Sequence, residues 1–261
     1  MCQIFSIDVD WPYQIATSPW MNPLAYVIFN FVLASTFLAL QILHFSDFLV
    51  GNGIYYFFYL TNWAICFETA TVLCLFVSVL WGYTLLPTAD KALPTPLFVR
   101  ITVAMWYCAQ PISLVVVLLY WTIVNPIWDV EPVIFSSLWA HFLDWIALLI
   151  SLFACRIPFS FKNGIWSLMF LLTYLAWTII HFVARIGTRT PCDDYPQELC
   201  PLYSQFDWNQ PQGAIIITLA ALVGLLLVVL LYVGFVKCRD ACDQKHTVLS
   251  DLEEGKPTAK E

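Results

Sequence analysis

Long apolar stretches separated by short polar segments make up most of this chain. A helix needs about 20 mainly apolar residues to cross the hydrocarbon core of a bilayer. Six stretches meet this requirement, and they are Leu24–Leu43, Tyr55–Leu86, Leu97–Val124, Pro132–Cys155, Gly164–Arg185 and Gly213–Val236. The pattern therefore predicts an all-α polytopic membrane protein, built as a bundle of six transmembrane helices.

The composition agrees with this prediction. Hydrophobic residues make up 61% and charged residues only 11% of the 261 residues, whereas soluble domains carry roughly 25% charged residues. A chain with so little charge cannot cover its own surface with water-facing groups, so membrane lipids are its expected surroundings. Basic clusters of the kind that bind nucleic acid are absent from the sequence, and the N-terminal residues do not have the pattern of a cleaved signal peptide.

The Lys and Arg residues divide unevenly between the two sides of the predicted bundle. With six crossings, nine of the eleven lie on the side of both termini, and only Arg185 and Arg189 lie on the other side. Cytoplasmic loops are enriched in Lys and Arg, so both termini are predicted to be cytoplasmic, with the protein in the plasma membrane or an endomembrane such as the endoplasmic reticulum. The predicted parts are an N-terminal cytoplasmic segment over 1–23, the transmembrane domain over 24–236 and a disordered cytoplasmic tail over 237–261.

This orientation separates two pairs of cysteines. Cys192 and Cys200 fall between the last two helices on the non-cytoplasmic side, where an oxidising compartment permits a disulfide, and we predict that they pair. Cys238 and Cys242 follow the last helix on the cytoplasmic side and are candidates for palmitoylation. A zinc site at this second pair would need further ligands that the neighbouring sequence lacks, so no metal or other cofactor is predicted.

Four ionisable side chains stand out within the predicted helices, away from their ends: Glu68, His141, Asp144 and His181. A charged group at the centre of a membrane helix costs roughly 2.5–3.5 kcal/mol on insertion scales, so such residues are candidates for function. His141 and Asp144 are three residues apart and therefore share one face of a regular α-helix.

Thr61 and His141 are the candidates for a catalytic pair. A hydroxyl becomes an effective nucleophile when a base removes its proton, and imidazole is the usual base. Asp144 would then orient the imidazole, and Asn62 or a backbone amide would stabilise the oxyanion. A structural interpretation stands beside this one: Thr61 bonds back to a carbonyl one turn earlier, and His141 and Asp144 tie helices together. The spacing alone favours the structural interpretation.

Several short motifs resemble the rolling stone proteins and their broader relatives, the androgen-induced and androgen-dependent multi-pass membrane proteins. The motifs are Tyr59-Leu60-Thr61-Asn62-Trp63, Tyr120-Trp121, His141, Pro158, Gly187-Thr188 and Leu202-Tyr203-Ser204-Gln205-Phe206-Asp207-Trp208-Asn209. The resemblance implies a six-helix membrane fold. In the androgen-induced branch it also implies a threonine hydrolase that cleaves fatty acid esters of hydroxy fatty acids, and Thr61 and His141 match its Thr and His. The rolling stone branch, which this chain resembles more closely, is associated with myoblast fusion.

Two functions therefore follow as expectations. The first is an intramembrane hydrolase whose partner is a lipid ester. The second is a non-catalytic membrane protein in adhesion, fusion or membrane organisation, in which the buried polar residues hold helices together. The oligomeric state does not follow from the sequence.

Overall fold

A computed structural model of the protein describes Ile7 and residues 9–88, 93–124, 135–189 and 191–253. Over these ranges the chain is helical and has no β-strand, with one isolated bridge between Trp11 and Leu93. The helices are α1 (Tyr13–Ala16), α2 (Pro23–Asn52), α3 (Leu60–Leu85), α4 (Leu97–Leu119), α5 (Phe135–Leu138), α6 (Asp144–Ala154), α7 (Gly164–Val183) and α8 (Pro211–Glu253). Two π-helical turns interrupt this pattern, one after α4 at Tyr120–Val124 and one between α5 and α6 at Trp139–Leu143.

Five of the described helices are long and apolar enough to cross a membrane. Their apolar spans are Pro23–Ser46, Leu60–Leu85, Leu97–Thr122, Phe161–Val183 and Pro211–Gln244. The remaining predicted crossing corresponds to a shorter apolar helix over Trp139–Ala154, and its predicted start at Pro132 lies outside the described residues. The structure thus supports an all-α membrane fold with five candidate crossings, and the sixth stays a prediction.

The connection between α2 and α3 differs from the predicted boundaries. Helix α2 continues past Leu43 to Asn52. A 3₁₀ turn over Gly53–Phe58 follows, and Gly53 opens it with a φ of 57°, a left-handed conformation that glycine adopts without strain. The aromatic run from Tyr55 therefore forms a turn, although its apolar character predicted the start of a helix.

Helix α4 lies at the centre of the bundle. Of its apolar span, 78% is buried, compared with 22% for α2 and 28% for α7. It packs against α3, α6, α7 and α8. The outer helices consequently present broad apolar faces, as expected where lipid covers them.

The N-terminal segment packs against the end of α3. Trp11, Ile15 and Ala16 are buried, and the Trp11 ring contacts that of Trp81 edge to face. A Cβ on Gly82 would lie 2.8 Å from the Ala16 Cβ, so glycine permits this close approach. The predicted cytoplasmic segment is thus an ordered part of the packed structure where it is described.

The last helix passes the predicted start of a disordered tail. Helix α8 runs on from Val236 to Glu253, and residues 254–261 lie outside the described part. Arg239 is buried and donates to the carbonyl oxygens of Leu152 and Ile157 at 3.2 and 3.0 Å. These contacts hold the helix against the end of α6. The composition of the segment does not reveal such contacts, so its polar residues predicted a disordered tail.

Candidate functional site

The first turn of α3 carries Thr61 and Asn62, and its side chains bond to the 3₁₀ turn that precedes it. Asn62 is buried, and its Nδ2 donates to the carbonyl oxygen of Tyr56 at 2.7 Å. The Trp63 indole donates to the carbonyl oxygen of Phe57 at 2.6 Å. The Asn-Trp pair therefore satisfies backbone carbonyls of the preceding 3₁₀ turn, which would otherwise be left without partners in lipid.

The hydroxyl of Thr61 has no hydrogen bond to any residue that the structure describes, and the residue is half-buried. Threonines further along the helices, such as Thr71 and Thr102, donate to a carbonyl four residues earlier. At Thr61 the equivalent carbonyl belongs to Phe57, which already accepts from Trp63. The backbone at Tyr59, the N-cap of α3, is extended, so no turn of α-helix precedes Thr61 and the back-bonded arrangement of the structural interpretation is not formed.

His44 is a member of this site that the sequence analysis missed. It is buried on α2, and its Nε2 lies 3.0 Å from Asn62 Oδ1. Because an amide oxygen only accepts, the imidazole donates from Nε2. The predicted first helix ended at Leu43, one residue before it, although Gln41 and His44 three residues apart already mark a polar face.

His141 lies in the π-helical turn between α5 and α6. Its imidazole stacks on the ring of Tyr120, with centroids 3.4 Å apart and planes 4° from parallel. The Trp121 indole donates to the carbonyl oxygen of His141 at 2.9 Å, so the π-helical turn after α4 contributes both contacts. π-Helical turns inside α-helices occur frequently at functional sites.

One nitrogen of the His141 imidazole has no described hydrogen-bond partner. Its Nδ1 is buried without a hydrogen-bond partner in the described part of the chain. The ring also interacts electrostatically with His44, the partner of Asn62. In the tautomer that carries its proton on Nε2, the Nδ1 of His141 can accept a proton from a donor that enters the site.

Asp144 does not bond to the His141 ring among the described contacts. One of its oxygens accepts from the backbone N–H of Trp145 at 2.7 Å, and its carboxyl group interacts with that of Glu68 instead. The π-helical turn explains this, because residues three apart no longer share a face where a turn holds more than four residues. Ser137, one turn before His141, bonds to the Tyr120 hydroxyl at 2.9 Å and not to the imidazole.

The relative positions of Thr61 and His141 along the axis of the bundle follow from the Glu68–Asp144 contact. Thr61 precedes Glu68 by seven residues and His141 precedes Asp144 by three. At about 1.5 Å per residue, and with the two helices parallel, the two positions differ by about 6 Å along the bundle. Val72 and Leu148 support the parallel sense, because each lies one turn beyond its carboxyl residue and both belong to one buried cluster.

The other predicted features lie apart from this site. The structure contains a disulfide between Cys192 and Cys200, whose Cα atoms are 5.8 Å apart. His181 is close to that loop, and its Nε2 lies 2.7 Å from the carbonyl oxygen of Gly187. Cys238 and Cys242 are exposed on α8, and their lipidation stays a prediction.

Comparisons of the chain with protein-family models, curated proteins and solved structures found no match. The resemblance to rolling stone proteins therefore stays a prediction that depends on the short motifs. Within the residues that the structure describes, no group of three or more His, Cys, Asp or Glu is arranged to hold a metal ion.

Proposed function

We propose that this protein is an intramembrane hydrolase of lipid esters, with Thr61 as the nucleophile and His141 as the general base. The observation that carries the proposal is the placement of His44, which bonds to Asn62 and interacts electrostatically with His141. His44 thus relates the first turn of α3, where the Thr61 hydroxyl has no described partner, to His141, whose Nδ1 also has none. A ligand-free site can be more open than the arrangement in which reaction occurs.

In the proposed reaction, His141 takes the proton of Thr61 as the hydroxyl oxygen attacks the ester carbonyl. The tetrahedral intermediate collapses to an acyl-threonine, and the alcohol leaves with the proton from His141. Water activated by the same imidazole then releases the fatty acid and restores the hydroxyl. Asn62 has one N–H bonded to Tyr56, and its second N–H is the candidate donor to the oxyanion.

The proposed orientation places both termini in the cytoplasm and all six apolar segments across the bilayer. The distribution of Lys and Arg supports it, since nine of the eleven would share the cytoplasmic side. The substrate class suits such a chain, because a lipid ester reaches the bundle from the bilayer without an aqueous path. The cytoplasmic positions of Cys238 and Cys242 would make them accessible to acyltransferases.

Ester hydrolysis by purified protein in lipid nanodiscs tests the proposal. Using a fatty acid ester of a hydroxy fatty acid, we expect Thr61→Ala to abolish turnover and His141→Gln to lower it by a factor of about 10²–10⁴. Thr69→Ala is the matched control, because Thr69 lies on the same helix and its buried hydroxyl also lacks a partner among the described residues.

Retained turnover in Thr61→Ala would exclude Thr61 as the nucleophile. Absence of turnover in well-folded wild-type protein would contradict the hydrolase proposal and favour the non-catalytic role in adhesion, fusion or membrane organisation.

A further inference from the structure

Two carboxyl groups meet in the interior of the helix bundle. Glu68 on α3 is fully buried and Asp144 on α6 is 2% exposed. The two groups interact directly, yet neither oxygen of Glu68 reaches an ordinary hydrogen-bond geometry with any described group. Both oxygens of Glu68 are therefore buried acceptors without a donor.

The packing around the pair is that of a closed interior. Val72 and Leu148, one turn further along each helix, belong to the same buried apolar cluster. Next to Asp144, the Trp145 indole donates at 3.1 Å to the hydroxyl of Tyr232 on α8. The carboxyl pair thus lies where three helices meet and not on a face open to lipid or water.

The charge of the pair is not balanced by a basic side chain. In the described residues the ion pairs of Arg156 and Arg239 involve Asp243 and Asp240, and neither Glu68 nor Asp144 takes part in one. An isolated buried carboxylate is costly, and two adjacent carboxylates also repel each other. Protonation removes both penalties and supplies the missing donor.

We propose that Glu68 and Asp144 form a proton-binding site, in which at least one proton is held between the two carboxyl groups at neutral pH. The protonated oxygen of one group donates to the other, and this links α3 to α6. The site is distinct from the proposed catalytic pair, and the proposal does not depend on hydrolase activity. Loss of the last proton would leave two negative charges in the bundle and separate the helices.

The other titratable groups near the pair do not offer a compensating positive charge. Cys108 on α4 and Tyr232 on α8 interact electrostatically with the carboxyl groups, and both are neutral or negative in every protonation state. His141, three residues before Asp144, contacts the Tyr120 ring and interacts with His44. We therefore expect a proton to be the cation that balances the charge of the carboxyl pair.

Infrared difference spectroscopy tests the proposal on full-length protein in nanodiscs. At pH 7 we expect a carbonyl band of a protonated carboxyl group that shifts on exchange into D₂O. The band should be lost in the double variant Glu68→Gln/Asp144→Asn, whose neutral amides keep the size of the side chains. Glu198→Gln, which removes an exposed carboxyl group of the outer loop, is the control and should leave the band in place. A wild-type spectrum without this band would overturn the proposal.

Thermal stability gives a second readout that does not need the variants to fold identically. Unfolded carboxyl groups ionise near pH 4, so above that pH the folded pair binds more protons than the unfolded chain. The wild-type melting temperature should therefore fall as the pH rises above about 5, and more steeply than that of the double variant. Equal slopes of melting temperature against pH for wild type and the double variant would contradict the proposal of a bound proton. A melting temperature that rises when choline is replaced by sodium would instead show that a metal cation occupies the site.

Discussion

The imidazole of His141 lies flat on the ring of Tyr120, and their centroids are 3.4 Å apart. The contact joins two π-helical turns, one at the end of α4 and one between α5 and α6. The Tyr120 hydroxyl is also bonded to Ser137, so the aromatic ring is held on one face and at its hydroxyl. The orientation of His141 is therefore set by Tyr120 and not by a carboxylate.

Replacement of Tyr120 should separate the contribution of the ring from that of its hydroxyl. Tyr120→Phe keeps the stacked ring, and we expect its free energy of unfolding to lie within ~0.6 kcal/mol of that of wild type. This value is the average for a hydrogen bond between membrane helices. Tyr120→Leu removes the stack and should cost a further ~0.5–1.5 kcal/mol. Equilibrium unfolding in mixed micelles measures both. Equal losses in the two variants would show that the stacking itself contributes nothing.

The bond between His44 and Asn62 should appear as a coupling energy between α2 and α3. A double-mutant cycle with His44→Ala and Asn62→Ala should give a coupling of about 0.6 kcal/mol, with ~1.7 kcal/mol as the upper end for membrane helices. Asn62→Ala alone should cost more than the coupling, since it also leaves the Tyr56 carbonyl oxygen unpaired. Additive effects of the two substitutions would mean that the bond does not stabilise the fold.

Gly187, in the loop between α7 and α8, should not tolerate a side chain. Its φ is 70°, and a Cβ would lie 2.3 Å from the carbonyl oxygen of Gln197. The left-handed conformation alone costs a residue with a Cβ roughly 1–2 kcal/mol, so Gly187→Ala should lose at least that much stability. Gly213→Ala is the control, because a Cβ there meets nothing within 4 Å, and it should be neutral or slightly stabilising. Two variants of equal stability would contradict the loop structure.

Arg239 should hold the last helix to the end of α6. Arg239→Ala removes the donor to the carbonyl oxygens of Leu152 and Ile157 and should cost ~1.5–3 kcal/mol, the range for a hydrogen bond to a charged group. Lys237→Ala, two residues earlier and exposed, should change stability by no more than ~0.5 kcal/mol. If both variants unfold like wild type, the helix beyond Val236 is not anchored as described.

The apolar lengths predicted the main helices well, because each crossing must satisfy its backbone within one continuous helix. They did not predict the turn at Gly53–Phe58, since aromatic residues are equally apolar in a turn and in a helix. The length rule also does not decide the fourth crossing, where the described helix is shorter than the others and its predicted start lies outside the described residues.

The candidate site was predictable only in part. Thr61, Asn62 and His141 stood out by residue type, but His44 was missed because the predicted first helix ended just before it. Asp144 was assigned to His141 on the basis of regular α-helical spacing. The π-helical turn between them has no signal in the sequence, and it turns Asp144 towards Glu68.

We claim that Thr61 is the nucleophile, and the residue that a covalent ester mimic modifies tests this claim. Purified wild-type protein in nanodiscs is treated with a fluorophosphonate probe that carries an alkyl chain, and peptide mass spectrometry locates the adduct. We expect the adduct on Thr61, with labelling lost in Thr61→Ala, strongly reduced in His141→Gln and unchanged in Thr69→Ala. An adduct on another residue such as Ser137, or equal labelling of wild type and Thr61→Ala, would contradict the claim.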